Sequence, residues 1–144
     1  MDLPFLHNQL NSLNSEISYI LKRTGFDYYS NMDNVEFEKN NPDALFLKDE
    51  FIQIMYHLDE VKSKLDYLNK KIVGEYTLRR NNLKQYECDE QIYHCGYPIE
   101  YYCYDDYDEC YKWILSRVEH DGNDYYIVGD RSCSLNGLKV RIRR

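Results

Sequence analysis

Five cysteines, at positions 88, 95, 103, 110 and 133, and four histidines are the side chains through which this chain could do metal or thiol chemistry. Structural zinc sites take their ligands in close pairs, with two to four residues between them, because one turn then presents both. Here six, seven and six residues separate Cys88, Cys95, Cys103 and Cys110. The spacing predicts no metal centre and no cofactor. An odd number of cysteines points to free thiols in a reducing compartment instead of a disulfide framework. Cys103 is expected to face inward on a strand, as a small apolar side chain.

Catalytic patterns are scarcer still. A phosphate-binding loop needs several glycines ahead of a helix, and the six here stand singly, at 25, 74, 96, 122, 129 and 137. There is no Gly-x-Ser-x-Gly nucleophile turn. His57 falls inside a helical pattern and His120 opens a turn, so both read as surface residues instead of general bases. Asp105, Asp106, Asp108 and Glu109 are close enough to repel one another and stay solvated. A calcium loop also needs a glycine for its sharp turn, and this loop has none. No catalytic residue is assigned, and the chain reads as a non-enzyme.

What remains is recognition. The stretch IEYYCYDDYDECY, residues 99–111, holds five tyrosines and five acids and no basic residue. Tyrosine gives a large, rigid contact at low entropic cost, and carboxylates speed the approach of a basic partner. Glu100, Tyr102, Tyr104, Asp105, Asp106, Tyr107, Asp108 and Glu109 form the expected contact surface. It would suit an Arg- and Lys-rich protein face such as a nucleic-acid-binding groove. The other reading is a tyrosine core under a solvated acidic loop. The net charge of −7 opposes attraction of the whole molecule to nucleic acid or anionic membranes. Lys139, Arg141, Arg143 and Arg144 carry the alternative, a small nucleic-acid-binding regulator gripping phosphates through its last strand. Alternating bases on an edge strand also serve simply to discourage sheet-to-sheet aggregation.

These residues need elements to hold them. Leu6, Leu10, Leu13, Ile17 and Leu21 line one helical face, and Gly25 suits the left-handed cap. Asn41, Pro42 and Asp43 open a second helix. Leu47, Phe51, Ile54, Leu58, Val61, Leu65, Leu68 and Ile72 then alternate by four and three, as in a coiled-coil seam. A shorter first helix leaves part of that seam uncovered, for a second copy of the chain (a homodimer) or for the chain's own β half. After Gly74 the pattern changes to short alternating runs of β-branched and aromatic residues, with turns at His120–Asn123 and at Asn136-Gly137. The expected fold is α+β: a helical hairpin over 1–72, then a small antiparallel β-barrel or curled sheet over 74–144. The N-terminus lacks a basic start and a small-residue cleavage site, and no apolar run spans a bilayer. A cytoplasmic protein is expected.

The β half also resembles a known pattern. Cys95-Gly96 before Ile99-Glu100, Trp113 on a strand ending Arg117-Val118-Glu119, the Tyr125-Tyr126 hairpin and the closing Gly137-Leu138, Val140-Arg141 are similar to a small uncharacterised β-domain family of Gram-positive bacteria and their phages. The insertion YCYDDYDEC is longer and more acidic than in that family. The resemblance implies a fold, and a phage or mobile-element setting. In such a setting the acidic tyrosine surface would inhibit a host nucleic-acid-handling or defence complex, in the manner of an anti-CRISPR.

Overall fold

Asp2 starts the first helix, α1 (Leu3–Thr24), by accepting a hydrogen bond from the Phe5 N–H at 2.8 Å. Gly25 ends it in the left-handed conformation (φ 66°), returning its N–H to the carbonyls of Leu21 and Lys22. A β-carbon at Gly25 would sit 2.9 Å from the Asn34 side-chain nitrogen, so the site excludes larger residues twice over. Asn41 caps α2 (Pro42–Asn69), accepting from the N–H groups of Asp43 and Ala44 at 2.9 and 3.2 Å. This is a computed structural model, and it describes residues 1–27, 29 and 32–144. Tyr28, Ser30 and Asn31, in the polar connection between the helices, lie outside the described residues. The fold is α+β, with two compact units, Met1–Lys70 and Lys71–Arg144.

Within the first unit the helices run antiparallel. Asn11 meets Asn69 and Asn14 meets Asp66, each at 2.8 Å, so the partner number falls as the residue number rises. Ile17 and Leu21 of α1 and Ile52 and Leu65 of α2 are buried, and Phe26 packs edge-on against Tyr56. The coiled-coil seam is placed differently from that core. Leu65 is buried, but Leu47, Phe51, Ile54, Val61 and Leu68 are each 37–49% exposed. Ile72 does not belong to the seam. The helix ends at Asn69, and Ile72 begins strand β1, paired with Arg143. Heptad spacing alone carried it into the helix; pairing with the last strand overrides that local pattern. Among the described residues no helix is long and apolar enough to cross a membrane.

The second unit contains β1 (Ile72–Thr77), β2 (Arg79–Arg80), β3 (Tyr86–Cys88), β4 (Gln91–Tyr93), β5 (Pro98–Asp105), β6 (Cys110–His120), β7 (Tyr125–Ile127) and β8 (Lys139–Arg143). Its larger sheet runs β1-β8-β5-β6-β7, antiparallel throughout, and β2-β3-β4 form a second, smaller sheet. The larger sheet ends at β1 and β7, so the closed form of the expected barrel is not made. Leu78, Tyr93, Ile99, Val118, Ile127 and Val140 are almost fully inaccessible and form the centre of the core. The His120 turn is tied down by Asp121, whose carboxylate accepts from the Asn123 and Asp124 N–H groups at 2.9 and 3.1 Å.

Candidate functional site

Strand alternation sorts the tyrosines. On β5, Ile99 and Tyr101 turn into the core, while Tyr102 and Tyr104 emerge on the opposite face. Register with β6 sets Tyr102 opposite Trp113 and Tyr104 opposite Tyr111. The four rings touch in sequence. Tyr104 and Tyr111 meet edge-on at 5.4 Å, Tyr111 and Tyr102 stack at 5.5 Å with 23° between planes, and Tyr102 and Trp113 lie 5.2 Å apart. From neighbouring β8, Lys139 sits 5.0 Å over the Tyr102 ring and the Arg141 guanidinium 4.6 Å over Trp113. The result is an exposed aromatic ladder with cations along one side. Tyr104 and Tyr111 are 48% and 62% exposed, values that leave about half of each outer residue free for contact.

The acids around this ladder have three different fates. Glu100 is not on the surface: its side chain is 3% exposed and is gripped by Arg141 and Arg143 of β8. Burial pushes its carboxyl up, but the hydrogen bonds and charges of the two guanidiniums outweigh that and hold it below the ordinary glutamate value. The alternation rule put it on the right face, yet β8 beside it closes the site to solvent. Asp105 and Asp108 close the β5–β6 turn. The Asp105 carboxylate accepts the Asp108 N–H at 2.8 Å, and the Lys112 ammonium lies 3.0 Å from Asp105 and 2.6 Å from Asp108. The Asp108 N–H and the Lys112 ammonium together lower the Asp105 carboxyl pKa. Asp106, Tyr107 and Glu109 stand exposed at the tip, with Tyr107 at 94%.

The basic strand is equally committed. Lys139 pairs with Glu75 at 3.1 Å, Arg141 and Arg143 with Glu100, and Arg144 with Asp89 at 3.3 Å. Arg141 and Arg143, expected to point outward to phosphates, are largely covered instead, because the buried Glu100 draws them down onto the sheet. The structure therefore brings Tyr102, Tyr104 and Lys139 together on one face and removes Glu100, Arg141 and Arg143 from free contact. Tyr111 and Trp113 join that face. Their alternation in YKW was the readable signal.

A second cluster has no spacing signature in the sequence. The sulfurs of Cys103 and Cys133 and a carboxylate oxygen of Asp130 all lie within 4.8 Å of one another. Tyr101, inside the core, donates its hydroxyl to Asp130 at 3.0 Å, and Ser132 donates to the other carboxylate oxygen at 3.2 Å. Burial, followed by the nearby Asp130 and Cys103, pushes the Cys133 thiol up to about 11. Burial and the Asp130 carboxylate likewise raise the Tyr101 hydroxyl pKa. Cys88 is buried, whereas Cys95 and Cys110 are exposed.

Residues 76–142 match the model of a family described as a domain of unknown function (DUF5348). The β unit thus bears the similarity to an uncharacterised domain that its motifs indicated, and the ladder and both clusters fall within or beside the matched region. Comparison with curated proteins and with solved structures finds no match.

Proposed function

We propose that the protein is a non-enzymatic interaction module that binds another protein through the aromatic ladder Tyr102–Tyr104–Tyr111–Trp113. The observation that supports this most is the continuous run of ring contacts across β5 and β6, held open to solvent by a rigid sheet. Rings fixed this way lose little entropy on binding and bury large areas, which is the chemistry of an interface hot spot. Asp106 and Glu109 at the adjoining tip keep their charge free and favour a basic partner. We take that partner to be the basic groove of a nucleic-acid-handling or defence complex, in the mobile-element setting implied by the sequence resemblance. The helical unit, with its uncovered seam, pairs two copies.

A single-stranded nucleic acid is the second reading. The stacked Tyr102 and Tyr111 rings with Lys139 alongside favour it, since bases stack on such platforms. The carboxylate partners of Lys139, Arg141, Arg143 and Arg144 weigh against it, because phosphates would have to displace them. An affinity capture from producing cells, with and without nuclease, separates the two readings. Replacing Tyr102 and Tyr111 by Ala removes two hot-spot side chains. At about 2 kcal/mol each, about 4 kcal/mol together, the captured partner should bind roughly 700-fold more weakly, with helix and sheet content unchanged. Binding that survives the double variant, or that disappears with nuclease, contradicts the proposal.

A further inference from the structure

We infer that Cys103, Asp130 and Cys133 form a binding site for a thiophilic divalent cation, zinc in particular. Two thiols and a carboxylate within 4.8 Å of one another are the donor set such an ion takes. A tetrahedral zinc with bonds of about 2.3 Å to sulfur holds its sulfurs about 3.8 Å apart. The two sulfurs therefore need to close by no more than about 1 Å, within reach of a side-chain rotation. Asp130 and Cys133 lie three residues apart in one turn, where the Cys133 N–H returns to the Asp130 carbonyl at 3.2 Å. That is the close pair of ligands a structural site draws from one turn, with aspartate in one of the places usually held by cysteine. Cys103 supplies the third donor from β5, a rigid strand.

The surroundings are built to hold the carboxylate. Tyr101 and Ser132 each hydrogen-bond one oxygen of Asp130, fixing its orientation while leaving further lone pairs for an ion. All three ligands are half-buried, so an ion can enter and a water can complete the fourth position. Two thiolates disfavour magnesium and calcium, which prefer oxygen. Three cysteine or aspartate ligands fall short of the four cysteines of an iron–sulfur cluster. On binding, each thiol releases its proton to solvent as the metal–sulfur bond forms, so no oxidant or reductant is involved. The site lies on the core side of β5, opposite the aromatic ladder, and stands independently of the proposed function.

The test uses the full-length reduced protein, stripped of metal and titrated with zinc alone and with cobalt(II) as a spectroscopic probe. The expected result is one ion per chain and a thiolate-to-cobalt charge-transfer band. Cys103→Ser and Cys133→Ser should each abolish the band, and a Cys95→Ser/Cys110→Ser variant should retain it. Ser132→Ala should weaken zinc binding by about tenfold, the usual effect of removing a group that orients a ligand. In the unaltered chain, zinc should protect Cys103 and Cys133, but not Cys95 or Cys110, from alkylation mapped by mass spectrometry. This readout needs no substitution to fold. No uptake by the reduced chain, a band that persists in Cys133→Ser, or protection mapped to other cysteines would overturn the assignment. So would a Cys103–Cys133 disulfide whose reduced form takes up no zinc.

Discussion

Glu100 is the residue on which the contact face rests, and replacing it with Gln makes the reasoning quantitative. The carboxylate is 3% exposed, while Arg141 and Arg143 retain 21% and 12% exposure. Gln preserves the volume but offers one acceptor oxygen instead of two and turns an NH2 group toward the guanidiniums. Removing one partner of a buried ion pair costs about 3–5 kcal/mol. Arg141 keeps its place over Trp113 and both arginines keep some water, so about 2–3 kcal/mol is the appropriate range here. For a unit of fewer than a hundred residues, each kcal/mol shifts the melting temperature by about 4–8 °C, which gives a fall of roughly 10–20 °C at pH 7. The pH dependence follows from the lowered carboxyl. A depressed folded-state pKa stabilises above the unfolded value, 4.5 for glutamate, and that stability is lost as pH falls through the lower folded-state value. Thermal melts followed by near-ultraviolet circular dichroism between pH 3 and 8 should show the Gln variant converging on wild type in acid. Melting within about 2 °C of wild type at pH 7, or a gap that widens in acid, would refute the account of this clasp.

Other perturbations separate the remaining parts. Gly25→Ala places a β-carbon against Asn34 at a left-handed position and should destabilise the helical unit by at least about 1 kcal/mol, read by urea titration. Ile54→Lys with Val61→Lys puts charges on the exposed seam. Light scattering should find a dimer for the parent and a monomer for the variant, with helix content unchanged; a parent that is already monomeric contradicts the pairing of helices.

The parts of the fold legible in the sequence are those fixed by neighbours along the chain. Asn41-Pro42-Asp43 and Gly25 marked helix ends because capping is decided within a few residues. The alternation in IEYYCY placed Ile99 and Tyr101 inside and Tyr102 and Tyr104 outside for the same reason. Local pattern fails where a distant strand decides the outcome. Ile72 fits the heptad rhythm, but β8 captures it as a strand partner. Glu100 shares its face with Tyr102, and only the arrival of Arg141 and Arg143 from β8 turns an exposed acid into a buried one. The Cys103–Asp130–Cys133 cluster is not legible in the sequence because its close pair mixes aspartate with cysteine and its third member is supplied by a separate strand, β5. In the acidic loop, sequence showed charge but not that Lys112, on the return strand, would absorb two of the carboxylates.

Recognition through the ladder is most directly tested by placing the photocrosslinker p-benzoylphenylalanine at Tyr104 or Tyr111 in producing cells, with Tyr97 as a control. Tyr97 is exposed on the same unit, and its ring meets His94 at 5.2 Å instead of the ladder. The account predicts a discrete protein adduct from positions 104 and 111, insensitive to nuclease and absent at 97. Equal crosslinking from all three positions, none from any, or an adduct that nuclease removes would contradict it.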